Sequence, residues 1–71
     1  FELEFFSPRG EDYQTPHEKD EIYIIARGSA ELNKSGYPIK CRTGDAIFVA
    51  AGEEHHFENM SDDFATWVIF F

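Results

Sequence analysis

The 71-residue sequence has few basic residues, a single cysteine and no long apolar run. Lys and Arg total 6 against 14 Asp and Glu, so the net charge is 6 − 14 = −8 at pH 7 with neutral histidines. This charge argues against binding to nucleic acid or to an anionic membrane surface, because both present negative phosphates. The longest apolar runs, residues 46–51 and 67–71, are much shorter than the roughly 18 residues of a membrane-spanning helix. We therefore expect neither a nucleic-acid partner nor a membrane partner.

The single cysteine indicates the cellular compartment, and the short length limits the number of domains. Cys41 is the only cysteine, which excludes an intramolecular disulfide and favours a reducing, cytoplasmic location. A chain of this length is too short for two hydrophobic cores, so we predict one domain over residues 1–71. The chain begins with Phe1 and ends in the apolar stretch 67–71, and we expect both ends to continue in a longer protein.

Alternating apolar segments separated by turn residues predict an all-β fold. The turn clusters carry Gly, Asn, Asp or Ser, and the stretch 10–20 contains Pro16 and has no apolar stripe at helical spacing. Six or seven short strands with tight turns are typical of an antiparallel barrel or sandwich. The segments with strand character are 1–6, 21–27, 29–33, 37–42, 46–49 and 64–71.

The terminal apolar segments also predict a homodimer. Eight of the 71 residues are phenylalanine, and a domain near 60 residues buries only about 60 % of its unfolded surface. Segments 1–6 and 64–71 therefore offer more apolar strand surface than one small barrel can bury.

Three histidines could carry chemistry: His17, His55 and His56. Imidazole and carboxylate are the usual ligands of first-row divalent metals, although a single histidine in a turn is more often solvated or packed. Adjacent residues of a strand face opposite sides, so we expect only one of His55 and His56 to point inward. Cys41 lies in a strand-like segment without a neighbouring histidine, which predicts a buried, inert thiol.

The segment from Gly44 to Asn59 closely resembles the second signature of the cupin family, G-x5-P-x-G-x2-H-x3-N. Gly44, Gly52, His55 and Asn59 occupy the required positions, and Ala50 replaces the usual proline. Since glycine makes up only about 7 % of residues in general, four chance matches at fixed spacing are improbable.

Upstream, His17-x3-Glu21-x6-Gly28 resembles the latter part of the first cupin signature, G-x5-H-x-H-x3,4-E-x6-G. Two positions depart from that signature. Thr15 stands where the family has its first histidine, and Gly10 is one residue too close to it. Together the two signatures span residues 15–59.

The resemblance implies a small, single-domain, antiparallel double-stranded β-helix, or jelly-roll barrel. It further implies that His17, Glu21 and His55 are metal ligands, that Gly28, Gly44 and Gly52 form turns, and that Asn59 is structural. The metal would be a divalent transition ion such as iron, manganese, nickel or zinc. The resemblance also suggests an apolar shell around the site that includes Phe48, Phe57 and Trp67.

Thr15 leaves two outcomes open. A water or substrate oxygen could complete the coordination of a His17–Glu21–His55 triad, or the site has decayed into a polar cavity. Three functions follow: a metal-dependent enzyme of oxygenase, isomerase or lyase type acting on a small polar metabolite, a non-catalytic binding or sensing module, and a structural dimer with an empty barrel. The sequence does not choose between enzyme and binding module, because cupins host many unrelated activities.

Overall fold

The alternating segments form β-strands in the computed structural model, which describes residues 2–8 and 18–71. Nowhere in this described part of the chain is there a helix long and apolar enough to cross a membrane. The strands are β1 (Glu2–Phe6), β2 (Glu21–Arg27), β3 (Ser29–Lys34), β4 (Tyr37–Arg42), β5 (Ala46–Val49), β6 (His55–Glu58) and β7 (Ala65–Phe70).

The seven strands form two antiparallel sheets, which confirms the predicted jelly-roll class. Sheet A has the order β1-β7-β2-β5, and sheet B has the order β4-β3-β6. The turns at Gly28, Gly44 and Gly52 have φ values of 77°, 94° and 79°, where glycine lacks the steric penalty of other residues. The β3–β4 turn has positive φ at Ser35 and Gly36, as a two-residue type I′ hairpin requires.

The core lies between the inner faces of the two sheets. Phe57 of β6 packs edge-on against Tyr23 of β2, with ring centroids 5.0 Å apart. The Phe64 ring is tilted relative to that of Phe57, with centroids 4.9 Å apart. Cys41 is buried in this core, as predicted for an inert thiol. The other buried apolar members are Ile25, Ala30, Leu32, Val49, Val68 and Phe70.

Two of the three predicted shell residues lie on the opposite face of sheet A. Phe57 is buried, but Phe48 and Trp67 are exposed by 51 % and 41 %. Each alternates with buried neighbours, Val49 in β5 and Val68 in β7, so its side chain points away from the core. The prediction that Phe48 and Trp67 shield the site is therefore wrong.

Candidate functional site

Glu21, Tyr23 and His55 meet between the two sheets. Glu21 and Tyr23 lie two residues apart on β2 and therefore share the inner face of sheet A. His55 is the first residue of β6 in sheet B. All three are almost completely buried, with exposed fractions of 1 %, 1 % and 3 %.

Local hydrogen bonds explain why His55 enters the core. The turn before it is closed by a bond from the Glu53 amide to the Ala50 carbonyl at 3.1 Å, next to Gly52 with its positive φ. The Ser35 amide then donates to the Glu54 carbonyl at 2.8 Å and fixes this turn to the β3–β4 hairpin. β6 begins at His55, directly after this turn. Because successive side chains of a strand point to opposite faces, His55 points inward and His56 points outward.

The side-chain atoms of the three residues lie within hydrogen-bond distance of one another. Nε2 of His55 is 2.9 Å from Oε2 of Glu21. The Tyr23 hydroxyl lies 3.1 Å from the same nitrogen and 3.4 Å from the same carboxylate oxygen. One carboxylate, one imidazole and one phenol thus converge in a region that excludes water.

The backbone determines which nitrogen of His55 faces the carboxylate. Nδ1 of His55 is 2.8 Å from the carbonyl oxygen of Glu53. A carbonyl only accepts, so Nδ1 carries a hydrogen and donates it. When the ring is neutral, Nε2 therefore presents its lone pair toward Oε2 of Glu21, and two acceptor atoms at 2.9 Å require a proton or a cation between them.

This arrangement fits the donor requirements of a divalent transition metal. Imidazole nitrogen and carboxylate oxygen are suitable ligands, and metal-binding histidines commonly donate their other ring N–H to a backbone carbonyl. His55 with Glu53 reproduces that pattern. Glu21 and His55 are the two side chains of the described residues that would hold the ion.

The third predicted ligand, His17, lies outside the described residues, as does Thr15. Among residues 2–8 and 18–71, no three His, Cys, Asp or Glu side chains form a group that could hold a metal. The His17–Glu21–His55 triad therefore remains a prediction. Of its three members, the structure shows Glu21 and His55 next to each other. His56 points away from the core and pairs with Glu58, as the alternation predicts.

Two contributors to the site were missed in the sequence analysis. Tyr23 could have been found, because it shares the inner face of β2 with Glu21 at a spacing of two. The second is Asp20, whose Oδ1 accepts a hydrogen bond from the Ala51 amide at 2.8 Å. This bond ties the residue preceding Glu21 to the turn preceding His55, and only the tertiary structure reveals it.

A groove of about 430 Å³ lies elsewhere, along sheet B, and neither Glu21 nor His55 lines it. Its rim carries charges of both signs, from Glu31, Lys40, Arg42 and Asp45. Burial raises the pKa of the Cys41 thiol beside this groove, and the charge of Asp45 adds to the effect. A raised pKa disfavours the thiolate, so the groove lacks an activated nucleophile at Cys41.

Known proteins resemble this chain in sequence and in fold. The uncharacterized protein SCO3923 of Streptomyces coelicolor is 32 % identical over 59 residues, which cover 83 % of this chain and 56 % of that protein. The DMSP lyase DddQ from Ruegeria pomeroyi superposes with a TM-score of 0.76 at 28 % identity, over 96 % of this chain and 35 % of that one. A Thermotoga maritima protein described as a predicted oxalate decarboxylase gives a TM-score of 0.74 at 24 % identity, over 96 % and 61 %. The chain thus spans less than two thirds of each of these relatives. Its residues 3–71 match the cupin domain family, and the chain belongs to that family.

Proposed function

We propose that this cupin domain binds a divalent transition metal and a small polar metabolite inside its barrel, with Glu21, His55 and His17 as the metal ligands. The observation that carries the proposal is the buried contact of 2.9 Å between His55 Nε2 and Glu21 Oε2. His17 is included because it matches the second histidine of the first cupin signature, whose first histidine is replaced by Thr15.

The residues of the chain have separate roles in this proposal. His55 presents Nε2 inward because its Nδ1–H is bonded to the Glu53 carbonyl. Glu21 supplies negative charge, which offsets the cost of burying a cation. The Tyr23 hydroxyl donates a hydrogen bond toward this pair and restricts its orientation. A divalent ion bound there would act as a Lewis acid that polarises an oxygen of the metabolite.

A metal-dependent enzyme of oxygenase, isomerase or lyase type is the catalytic form of this proposal. The similarity to a DMSP lyase at 28 % identity supports a small polar substrate. Glu21 and Tyr23 would then orient that substrate, because both lie on the inner face of β2.

The alternative is a non-catalytic cupin module that binds or senses a ligand or metal, with a degenerate site. One observation favours it: the side chains of His55 and Glu21 are only 0 % and 1 % exposed, so a substrate has little access to them in this conformation. Assays of turnover on small organic acids and sulfonium compounds, with and without metal, would separate the two forms.

The metal itself is tested by elemental analysis and thermal unfolding. After dialysis against each of iron, manganese, nickel and zinc, we expect about one bound ion per chain for one of them. An ion present at about 100 times its dissociation constant should stabilise the fold by about 2.7 kcal/mol. His55→Ala and Glu21→Gln should lose both the ion and this stabilisation.

His56→Ala is the matched control, because His56 is the adjacent histidine but points outward to Glu58. It should keep the ion. Wild-type protein that takes up none of the four metals and shows no change in melting temperature would refute the proposal, as would equal loss of metal in His55→Ala and His56→Ala.

A further inference from the structure

The groove along sheet B lies on the outer face of that sheet and is lined by polar and charged side chains. β3 and β4 alternate there between buried and outward-pointing residues, with Ala30 and Cys41 as buried members. The groove volume of about 430 Å³ lies within the range of about 300–1,000 Å³ that small-molecule sites occupy. The polar and charged side chains that line it are Ser29, Glu31, Lys40, Arg42, Asp45 and Asn59.

Two of the six basic residues of the chain lie in this groove. Lys40 and Arg42 are exposed and two residues apart on β4, so they rise from the same face of the sheet, roughly 7 Å apart. In the part of the chain that the structure describes, the ion pairs are formed by other cations and none involves Lys40 or Arg42. Both positive charges are therefore available to a ligand.

The two acidic residues of the groove are held by neutral donors rather than by these cations. Asn59 Nδ2 donates to Oε1 of Glu31 at 3.0 Å, although Glu31 is the cross-strand neighbour of Lys40. The backbone amide of Arg42 donates to Oδ2 of Asp45 at 2.9 Å. Because an ionised carboxylate has about four acceptor positions, both acids can accept further hydrogen bonds from a ligand.

The charge balance of the groove favours a ligand that carries both signs. Its two cations and two carboxylates sum to zero, whereas the whole chain carries a charge of −8. The negative field of the chain disfavours a free anion, and a free amine would meet the repulsion of the two cations. A ligand with one positive group, one negative group and no net charge avoids both penalties.

We propose that this groove binds the zwitterion of a small α-amino acid. The Arg42 guanidinium, whose five N–H donors form a planar fork, binds the carboxylate, and Lys40 adds a second positive charge. The α-ammonium group, one carbon away from the carboxylate, donates to the carboxylate oxygens of Asp45 and Glu31. Each end of the ligand then makes charge-assisted hydrogen bonds, which are the stronger kind.

This site is separate from the proposed metal site. The groove lies on the outer face of sheet B, whereas Glu21 and His55 contact each other between the two sheets. Metal-free protein is therefore suitable for the test, and the failure of one proposal leaves the other intact.

Titration of isotopically labelled, metal-free protein with L-alanine at pH 7 tests the proposal, because NMR chemical shifts detect weak binding. The amide signals of residues 29–31 and 40–45 should shift in a saturable manner, with a dissociation constant of about 1 mM. N-acetyl-L-alanine lacks the ammonium group and ethylamine lacks the carboxylate, so each should bind at least about tenfold more weakly. Equal binding of L-alanine and its N-acetyl derivative, or no saturable shift with L-alanine up to roughly 20 mM, would overturn the proposal.

Two substitutions and a matched control identify the charges that hold the ligand. Arg42→Gln removes the guanidinium, and Asp45→Asn removes a negative charge but keeps an oxygen that can accept from the Arg42 amide. Each should raise the dissociation constant for L-alanine at least about tenfold. Arg27→Gln removes a guanidinium from sheet A, outside the groove, and should leave the dissociation constant unchanged.

Unchanged binding in both groove variants, or equal weakening in all three variants, would contradict this site. Circular dichroism shows whether each variant is folded. If a groove variant does not fold, the comparison of L-alanine with its N-acetyl derivative on the wild-type chain decides.

Discussion

At the scale of single residues, the Tyr23 hydroxyl gives a test of how the buried pair is held. The hydroxyl lies 3.1 Å from His55 Nε2 and 3.4 Å from Glu21 Oε2, and Tyr23→Phe removes it while keeping the ring that packs edge-on to Phe57. Losing a buried hydrogen bond of this kind should lower the free energy of unfolding by about 1 kcal/mol. Urea denaturation of metal-free protein measures the difference.

Tyr37→Phe is the control for this measurement, because the Tyr37 side chain is mostly in solvent. Its unfolding free energy should equal that of the wild type. Equal stability of Tyr23→Phe and the wild type would mean that the Tyr23 hydroxyl does not hold Glu21 and His55 in place.

The residues of the site were predictable to different degrees. Alternation within one strand predicted that only one of His55 and His56 points inward, and the resemblance to the second cupin signature selected His55, which the structure buries. The contact between Glu21 and His55 was expected only through resemblance to the cupin signatures, because the two residues lie on different sheets. The Glu53 carbonyl that orients His55 carries no sequence signal at all, since every residue has such a carbonyl.

At the scale of elements, the turn between β2 and β3 is fixed by a close approach of backbone and side chains. Gly28 has φ of +77°, and a Cβ added there would lie 2.3 Å from Ser61 Oγ and 2.9 Å from the Phe64 Cα. Gly28→Ala must therefore displace the segment that precedes β7. Left-handed backbone costs about 1–2 kcal/mol and overpacking about 1–3 kcal/mol more, so we expect a loss of roughly 2–5 kcal/mol in unfolding free energy.

Gly44→Ala separates the backbone penalty of an alanine at positive φ from the penalty of overpacking. Gly44 has φ of +94°, but no atom lies within 4 Å of an added Cβ. It should show only the backbone penalty of about 1–2 kcal/mol. If thermal unfolding gives the same loss for both alanine variants, the packing against Ser61 and Phe64 does not contribute.

β5 and β7 are strands whose inner face could not be predicted from the sequence. Alternation correctly separates the two faces of each strand, but it does not state which face packs on the opposite sheet. Phe48 and Trp67 were expected in the apolar shell of the site through the resemblance to the cupin family. Their alternation with Val49 and Val68 places them outside, because smaller residues fill a core already occupied by Phe57 and Phe64.

At the scale of the whole molecule, the two faces of β2 have different surroundings. Its inner residues, Glu21 and Tyr23, contact His55 of the other sheet and so connect sheets A and B. Its outer residues, Ile22 and Ile24, lie on the opposite face of sheet A beside Ile69 and Trp67 of β7. The strand that carries Glu21 thus packs on the core with one face and has the partly exposed apolar residue Ile24 on the other.

Salt dependence tests whether the homodimer predicted from the sequence is held together by apolar contact rather than by charge pairing. Each chain carries a net charge of −8, so two copies repel at low ionic strength, where the screening length is about 30 Å at 0.01 M. Raising NaCl to about 0.3 M shortens that length to well under 10 Å and should strengthen association several-fold. Titrations followed by Trp67 emission at the two salt concentrations give both dissociation constants. A dimer joined instead by opposite charges, for example through Arg27 beside the Phe5 ring, would weaken as salt is added. Such a decrease would argue against a dimer held by apolar contact.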